Sequence, residues 1–364
     1  MKKNILVIIG TRPNFIKVTR FKEVANNYAG INLKVVHTGQ HYDATMADVF
    51  FKQFNLTPDY FLNVGAGSPN FQIADIMLKL EELITTQFKP ELILVVGDVN
   101  STLAGALTAN KLGIKLAHVE SGLRSYDETM PEEINRILTD KLCDLFFVTE
   151  PSGLENLKKE GVQNKKVKFV GNTMIDTLVR FSDKIEQSDI LEKKHIIPQQ
   201  YVLATLHRPA TVDFEDGLNK LIELFENITI KYKVIFPIHP RTVNNLKKFN
   251  LYEKLIQNKN LITTEPLDYF AFQKLIKYSK FIVTDSGGIQ EESTFLQVPC
   301  LTLRNNTERP VTCTEGTNTL VKFDIPEISK LISTIENGTY KKGKIPELWD
   351  GKTTERIFAE LLNL

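Results

Sequence analysis

Short runs of consecutive apolar residues recur along the whole chain, and each gives way to a polar or glycine-rich turn and then to an amphipathic segment. In the first half the runs are Ile5–Ile9, Leu33–Val36, Leu92–Val96, Leu116–Val119, Leu145–Val148 and Val167–Val170. In the second half they are Tyr201–Thr205, Val234–Ile238, Leu261–Thr263, Phe281–Thr284, Cys300–Leu303 and Thr319–Val321. The runs are continuous rather than alternating, so each side of every strand must be buried. That pattern belongs to parallel sheets covered by helices on both faces. The rhythm breaks at residues 182–200, a charged stretch without a strong period. The expected fold is therefore α/β, with two doubly wound Rossmann-like domains and a ligand cleft between them. The expected boundaries are 1–172 for the first domain and 173–353 for the second. A terminal helix at 354–364 is expected to return to the first domain.

The chain has 364 residues, enough for two domains. Lys and Arg number 45 against 44 Asp and Glu, a formal charge of +1, which argues against a broad nucleic-acid surface. Cys143, Cys300 and Cys313 show no C-x-x-C spacing and suit a reducing compartment better than a disulfide framework. The apolar run Ile5–Ile9, followed closely by Arg12, is too short for a signal-peptide core or a membrane span. A cytoplasmic protein with no nucleic-acid or membrane partner is the expectation.

Polar residues concentrate where the strands end. The clusters are Gly10–Asn14, His37–His41, Gly97–Thr102, His118–Arg124, His207-Arg208, His239–Arg241 and Asp285–Gly288. Ligands of open parallel sheets bind at the carboxyl ends of strands. Of six histidines, only His195 lies away from such a site. A single strand-end histidine often just caps a sheet edge, but five together point to a site.

Several clusters carry specific chemistry. In TDSGGIQEES, Gly287 and Gly288 allow a sharp turn, and the helix that follows offers free N–H groups to a phosphate or diphosphate. Ser286 adds a hydroxyl. An acidic residue one turn on can accept the hydroxyls of a ribose, although glutamates also simply favour first helical turns. In GTRPNFIK, Arg12 and Lys17 sit near a helix start, where cations oppose the dipole and an anionic ligand would explain them. Asp98 follows a glycine at a strand end, fit either to act as a base or to orient a histidine. Pro131 opens a helix with Glu132 and Glu133 in its first turn and apolar positions Ile134, Ile137 and Leu138. Glu132 and Arg136, four apart, also fit a plain surface pair. Carboxylates facing cations beside a nucleotide loop suggest acid–base chemistry on a nucleotide-linked substrate. No H-E-x-x-H element is present and the cysteines are dispersed, so no metal is expected.

The segments GTRPNFIK, HTGQHYD, GDVNSTLAG, HVESGLRS, MPEEINR, GNTMIDTL, HRP, PIHPRT and TDSGGIQEES…RNNTERP, in this order and spacing, resemble the non-hydrolysing UDP-N-acetylglucosamine 2-epimerases along nearly the whole chain. The resemblance implies a two-domain, glycosyltransferase B-like fold. It also implies elimination of UDP to a 2-acetamidoglucal and re-addition, without a redox cofactor. It places Asp98, Glu120, Glu132 and His207 in the catalytic group, with Arg12 and Lys17 at the reacting end. Ser286, Gly287 and Gly288 match the diphosphate loop and Glu292 the ribose carboxylate. Arg304, Glu308, Arg309, His239 and Arg136 complete the candidate substrate contacts. Gln40, His41 and Gln72 match positions where some members bind UDP-N-acetylglucosamine as an activator. A homodimer is likewise implied. Three positions depart from the family pattern: Asn14 for glutamate, Ser121 for alanine, and Pro209-Ala-Thr211 for a Glu-Asn element. The expected product is UDP-N-acetylmannosamine, a surface-polysaccharide precursor. Competing readings are 2-epimerisation of UDP-2,3-diacetamido-2,3-dideoxyglucuronate, a hydrolysing epimerase, and a glycosyltransferase.

Overall fold

Each apolar run becomes a strand. The computed structural model describes residues 2–39, 51 and 53–363. Gln40 and His41 lie outside the described residues. The first sheet contains β1 (Lys3–Ile9), β2 (Ile31–His37), β3 (Tyr60–Phe61), β4 (Leu92–Val96), β5 (Lys115–Val119), β6 (Leu145–Val148) and β7 (Val167–Phe169). Their order is β3-β2-β1-β4-β5-β6-β7, all parallel. The second sheet contains β8 (Tyr201–Thr205), β9 (Lys233–Pro237), β10 (Leu261–Thr264), β11 (Phe281–Thr284), β12 (Cys300–Leu303) and β13 (Asn318–Val321). Its order is β10-β9-β8-β11-β12-β13, again parallel. The strand order reverses beside β1 and β4 in one sheet and beside β8 and β11 in the other. A doubly wound sheet opens a crevice at that switch point.

Both sheets are buried on both faces, as continuous runs require. All five residues of β4 are buried, as are all four of β11. One apolar cluster joins Leu6, Ile8, Ile93 and Val95 to Ile76, Leu80, Leu83 and Ala104 of the covering helices. In the second sheet Val202, Val234 and Phe281 pack on Leu221, Leu224 and Phe225, while Leu203, Ile235 and Ile282 pack on Leu275 and Ile276. Each fully buried Leu, Ile or Phe contributes roughly 1.5–3 kcal/mol.

Contacts divide the chain into two compact units, Met1–Arg180 with Glu347–Leu364, and Phe181–Pro346. The sequence reading placed Thr173–Arg180 in the second domain. That helix instead packs on the helix Arg12–Val18: the Thr177 hydroxyl donates to the Ile16 carbonyl and lies 2.6 Å from the Thr19 hydroxyl. The return to the first unit begins at 347, ahead of the expected 354. Trp349 is buried and donates from Nε1 to the Thr149 carbonyl at 3.0 Å. Asp176 accepts the Thr353 and Thr354 N–H groups at 3.0 and 2.6 Å, capping the helix Thr353–Leu362 from a remote segment. Among the described residues no helix is long and apolar enough to cross a membrane. Cys143, Cys300 and Cys313 are unbridged.

Candidate active site

In the first unit the site grows from the ends of β1, β4 and β5. Lys17 and Glu120 form an ion pair at 2.6 Å, and both are almost wholly buried. Glu120 has a φ of +72°, a left-handed backbone that costs a non-glycine residue about 1–2 kcal/mol. The turn aims its carboxylate back over Gly97. A Cβ on Gly97 would meet Asn14 Nδ2 at 3.2 Å, Lys17 Nζ at 3.3 Å and Glu120 Oε2 at 3.7 Å, and Gly97 itself has φ +68°. A side chain here would be strained at this φ and would need Asn14 and Lys17 to give by a few tenths of an ångström. Asn14, where the resembling family usually has glutamate, donates from Nδ2 to the Val96 carbonyl at 2.9 Å. It accepts from the Thr11 hydroxyl at 3.2 Å.

One sequence expectation needs correcting here. Lys17 does not stand near the start of its helix; Arg12–Val18 has seven residues and Lys17 lies in its last turn, where the dipole favours a cation. Its charge is matched from inside by Glu120. Arg12 is exposed at the helix start.

Asp98 follows β4. Arg136 holds it through Nε at 3.0 Å and Nη2 at 2.9 Å. Arg136 is buried and pairs through Nη1 with Glu133, its neighbour at i−3, not with Glu132 at i−4. Glu133 also accepts the Ser125 and Tyr126 N–H groups, each at 2.9 Å, and the Ser125 hydroxyl at 3.0 Å. Glu132 is exposed. The buried first-turn carboxylate of this helix is therefore Glu133, not Glu132. Its signal was available, because 133, 136 and 140 fall on one helical face. Asn135 donates to the Asp98 carbonyl at 2.9 Å. Gln72 is buried and accepts from Asn100 Nδ2 at 3.1 Å.

Beneath these groups His118 is fully buried, with Nε2 2.8 Å from the Gly97 carbonyl and Nδ1 2.8 Å from Asp140. Burial alone lifts the Asp140 carboxyl, but His118, Arg124 and the Gly122 N–H outweigh it and hold the carboxyl below its usual range. His118, Asp140 and Cys143 offer ligand atoms within 4.8 Å of one another. Their donors do not suit a metal, since both imidazole nitrogens are engaged and burial pushes the Cys143 thiol well above its usual range. Burial also lowers His37 to about 4, and its Nδ1 accepts the Gly39 N–H at 3.1 Å. His37, His118 and His239 each also bond to a backbone group.

In the second unit the site forms at the β8–β11 switch point. Thr284 pairs with Thr205, which brings the residues after both strands side by side. Asp285 is fully buried and accepts the His207 and Arg208 N–H groups at 2.9 and 2.8 Å. Its Oδ1 lies 3.0 Å from His207 Nδ1. Burial raises the Asp285 carboxyl, yet His207 and these two amides together bring it below its usual range. This role of Asp285 was invisible without strand order. His239 packs its ring 5.4 Å from that of His207. Partial burial, His207 and Arg241 lower His239, against the pull of Asp285.

The helix Gly287–Phe295 begins at Ser286, whose hydroxyl makes no capping bond. Its first-turn N–H groups are open to an acceptor. A Cβ on Gly287 would meet Glu308 Oε1 at 2.9 Å and Arg309 Nη1 at 3.2 Å, with Arg304 Nη1 at 3.9 Å. Glu308 bridges the two arginines: Arg304 Nη2 is 3.0 Å away, and Arg309 Nη1 closes on Oε1. Burial, with Arg208 and Arg309 nearby, lowers Arg304 against the pull of Glu308. Glu291 is buried and pairs with Arg309 at 2.9 Å. Glu292 is also buried. The arrangement sets the helix start beside Arg304 and Arg309, each paired with a carboxylate, and next to Asp285, which holds the His207 backbone N–H.

Comparison with known proteins agrees with this fold. The family model for UDP-N-acetylglucosamine 2-epimerases matches residues 23–362. A UDP-N-acetylglucosamine 2-epimerase homologue from Methanococcus maripaludis is 42% identical over 368 residues, covering 99% of each chain. The UDP-2,3-diacetamido-2,3-dideoxy-D-glucuronate 2-epimerase of Pseudomonas aeruginosa is 38% identical over 321 residues, 87% of this chain and 88% of that one. The UDP-GlcNAc 2-epimerase of Methanocaldococcus jannaschii, solved with UDP-GlcNAc and UDP, superposes with a TM-score of 0.89 at 39% identity, covering 99% of this chain and 100% of that one. Two parallel sheets, a helix start beside Arg304 and Arg309, and matches running almost end to end show that the chain belongs to the UDP-N-acetylglucosamine 2-epimerase family.

Proposed function

We propose that the protein interconverts UDP-N-acetylglucosamine and UDP-N-acetylmannosamine by inverting C2. The observation that carries this reading is the β8–β11 switch point, where an N–H-rich helix start lined by Arg304 and Arg309 adjoins the Asp285-held His207. A diphosphate that binds there is also a leaving group. In the proposed reaction a base of the site takes the C2 proton, and the C2–H electrons form the C1=C2 bond. The C1–O bond breaks with its electrons going to UDP. UDP oxygen then re-adds to C1 and a proton enters C2 on the other face. The sequence is redox-neutral and needs no electron acceptor. The C2 proton is only weakly acidic, so departure of the diphosphate must drive its removal. Each preorganised donor aimed at the developing charge contributes roughly 3 kcal/mol. Asp98 and Glu120, each beside a fixed cation, are the proposed carboxylates for proton transfer. Glu292 is the proposed ribose partner. The family resemblance supports a homodimer, UDP-N-acetylglucosamine as activator near Gln72, and a role in supplying surface-polysaccharide precursors. A second reading, C2 inversion of UDP-2,3-diacetamido-2,3-dideoxyglucuronate, is favoured by the likeness to the Pseudomonas enzyme.

The test is incubation with each UDP-sugar in deuterated water, followed by NMR. Deuterium at C2 together with a manno-configured UDP-sugar supports the proposal, and the sugar that exchanges identifies the substrate. Absence of exchange at high enzyme concentration with both sugars refutes it. Free sugar and UDP as the only lasting products assign hydrolysis instead.

A further inference from the structure

Behind the arginines at the helix start, the Gln290 side chain is fully buried and both ends of its amide are engaged. Its Nε2 donates to the Ser286 carbonyl at 3.3 Å, which fixes the amide orientation because a carbonyl only accepts. Its Oε1 accepts from Asn318 Nδ2 at 3.0 Å and from the Thr307 hydroxyl at 2.8 Å. The Thr307 oxygen in turn accepts the Arg309 N–H at 3.1 Å. On the other side Asn318 Nδ2 donates to the Thr312 hydroxyl at 3.2 Å, and that hydroxyl donates to the Arg309 carbonyl at 2.8 Å. The Thr302 hydroxyl holds Asn318 in this orientation by donating to its Oδ1 at 2.6 Å. The bonds close a ring through Gln290, Thr307, Arg309, Thr312 and Asn318, and each hydrogen in it meets an oxygen lone pair.

We propose that Gln290 is a positioning residue, which through this ring fixes the Arg309 backbone against the start of the helix Gly287–Phe295 and so presets Arg309 for a diphosphate. The inference rests on the function proposed above, which puts the diphosphate at that helix start. The guanidinium is close to it: a Cβ on Gly287 would meet Arg309 Nη1 at 3.2 Å. Glu291 and Glu308 pair with the guanidinium, but these ion pairs hold only the tip of a long side chain. The ring acts at its root, gripping both the N–H and the carbonyl of Arg309. One amide therefore ties two segments together, Ser286 ahead of the helix through Nε2 and the arginine segment through Oε1. A fully satisfied buried network of this kind is rigid. A donor fixed before its ligand arrives carries less ordering cost on binding.

The experiment titrates the full chain with UDP by calorimetry and with uridine, which lacks the diphosphate, by NMR. Gln290→Met keeps the length of the side chain and removes both ends of the amide. It is expected to weaken UDP about tenfold while uridine affinity stays within about twofold. Thr307→Val breaks the ring at a half-buried position and should weaken UDP about as much. Because both act through one network, the double variant should bind UDP within about threefold of the weaker single variant. Equal losses for UDP and uridine would mark a general loosening of the fold and overturn the proposal. Unchanged UDP affinity in both single variants, or losses that multiply in the double variant, would overturn it too. If Gln290→Met does not fold, the UDP and uridine affinities of Thr307→Val decide. UDP binding without C2 exchange refutes the proposed reaction and leaves this inference standing, whereas a wild-type chain that does not bind UDP overturns both.

Discussion

Lys17→Met isolates the energy held in the Lys17–Glu120 pair. Both side chains are almost completely buried and their charged atoms are 2.6 Å apart. Removing the ammonium leaves a carboxylate in a site closed to water, and breaking such a pair costs roughly 3–5 kcal/mol. Trp349 is the only tryptophan, is buried, and belongs to the first unit, so its fluorescence follows the unfolding of that unit. With a urea m-value of about 3 kcal/mol per M, the midpoint should fall by about 1–1.7 M. The double variant Lys17→Met/Glu120→Gln replaces the pair with uncharged groups and should recover about 2 kcal/mol or more of the loss. A midpoint shift below about 0.3 M for Lys17→Met, or a double variant no more stable than the single one, would refute the claim that the two buried charges depend on each other.

Other outcomes follow from the same geometry. His37 falls from 6.5 to about 4 on burial, so the unfolded chain binds the extra proton across that interval. Its stabilising contribution is complete above pH 6.5, is lost as pH falls toward 4, and amounts to about 3 kcal/mol; His37→Asn, which keeps an acceptor for the Gly39 amide, should flatten the Trp349 midpoint against pH. Gly287→Ala places a Cβ 2.9 Å from Glu308 Oε1, so UDP affinity by titration calorimetry should weaken about tenfold, and unchanged affinity would place the diphosphate elsewhere. Glu132→Gln should alter the Trp349 midpoint by less than about 0.5 kcal/mol because Glu132 is exposed, whereas Glu133→Gln should cost about 1–3 kcal/mol by weakening its bonds to Arg136, Ser125 and Tyr126. If only Glu132→Gln abolishes C2 exchange while leaving stability intact, the role implied for it by the resemblance stands.

The strands were legible because a parallel strand buried on both faces leaves a continuous apolar run, and β4 and β11 show this directly. β3 left no such mark, since it is two residues long and pairs only with β2 at the sheet edge. The helix Pro131–Leu142 misled for a different reason. Its apolar Ile134 and Leu138 are exposed, while Glu133, Asn135, Arg136, Thr139 and Asp140 are buried. A helix that backs onto a site turns its polar side inward, which inverts the usual reading of amphipathicity. Individual site residues could be named from motif spacing, but partners could not. Asp285 meets His207, and Arg309 meets Glu291, only once strand order and helix docking bring distant segments together. The division of the chain slipped for a similar reason, because the hydroxyl contacts of Thr177 with Ile16 and Thr19 carry no signature in the linear pattern.

The left-handed backbone at Glu120 sets stability against chemistry at a single position. Glycine would adopt φ +72° without strain, so a population screened only for heat resistance should drift toward glycine at 120 with an uncharged residue at 17. Such lineages would fold better and lose the carboxylate beside Gly97. A population screened for turnover should retain glutamate there and accumulate compensating substitutions in the surrounding core. Position 120 therefore offers a direct readout of which pressure acted on any evolved variant of this chain.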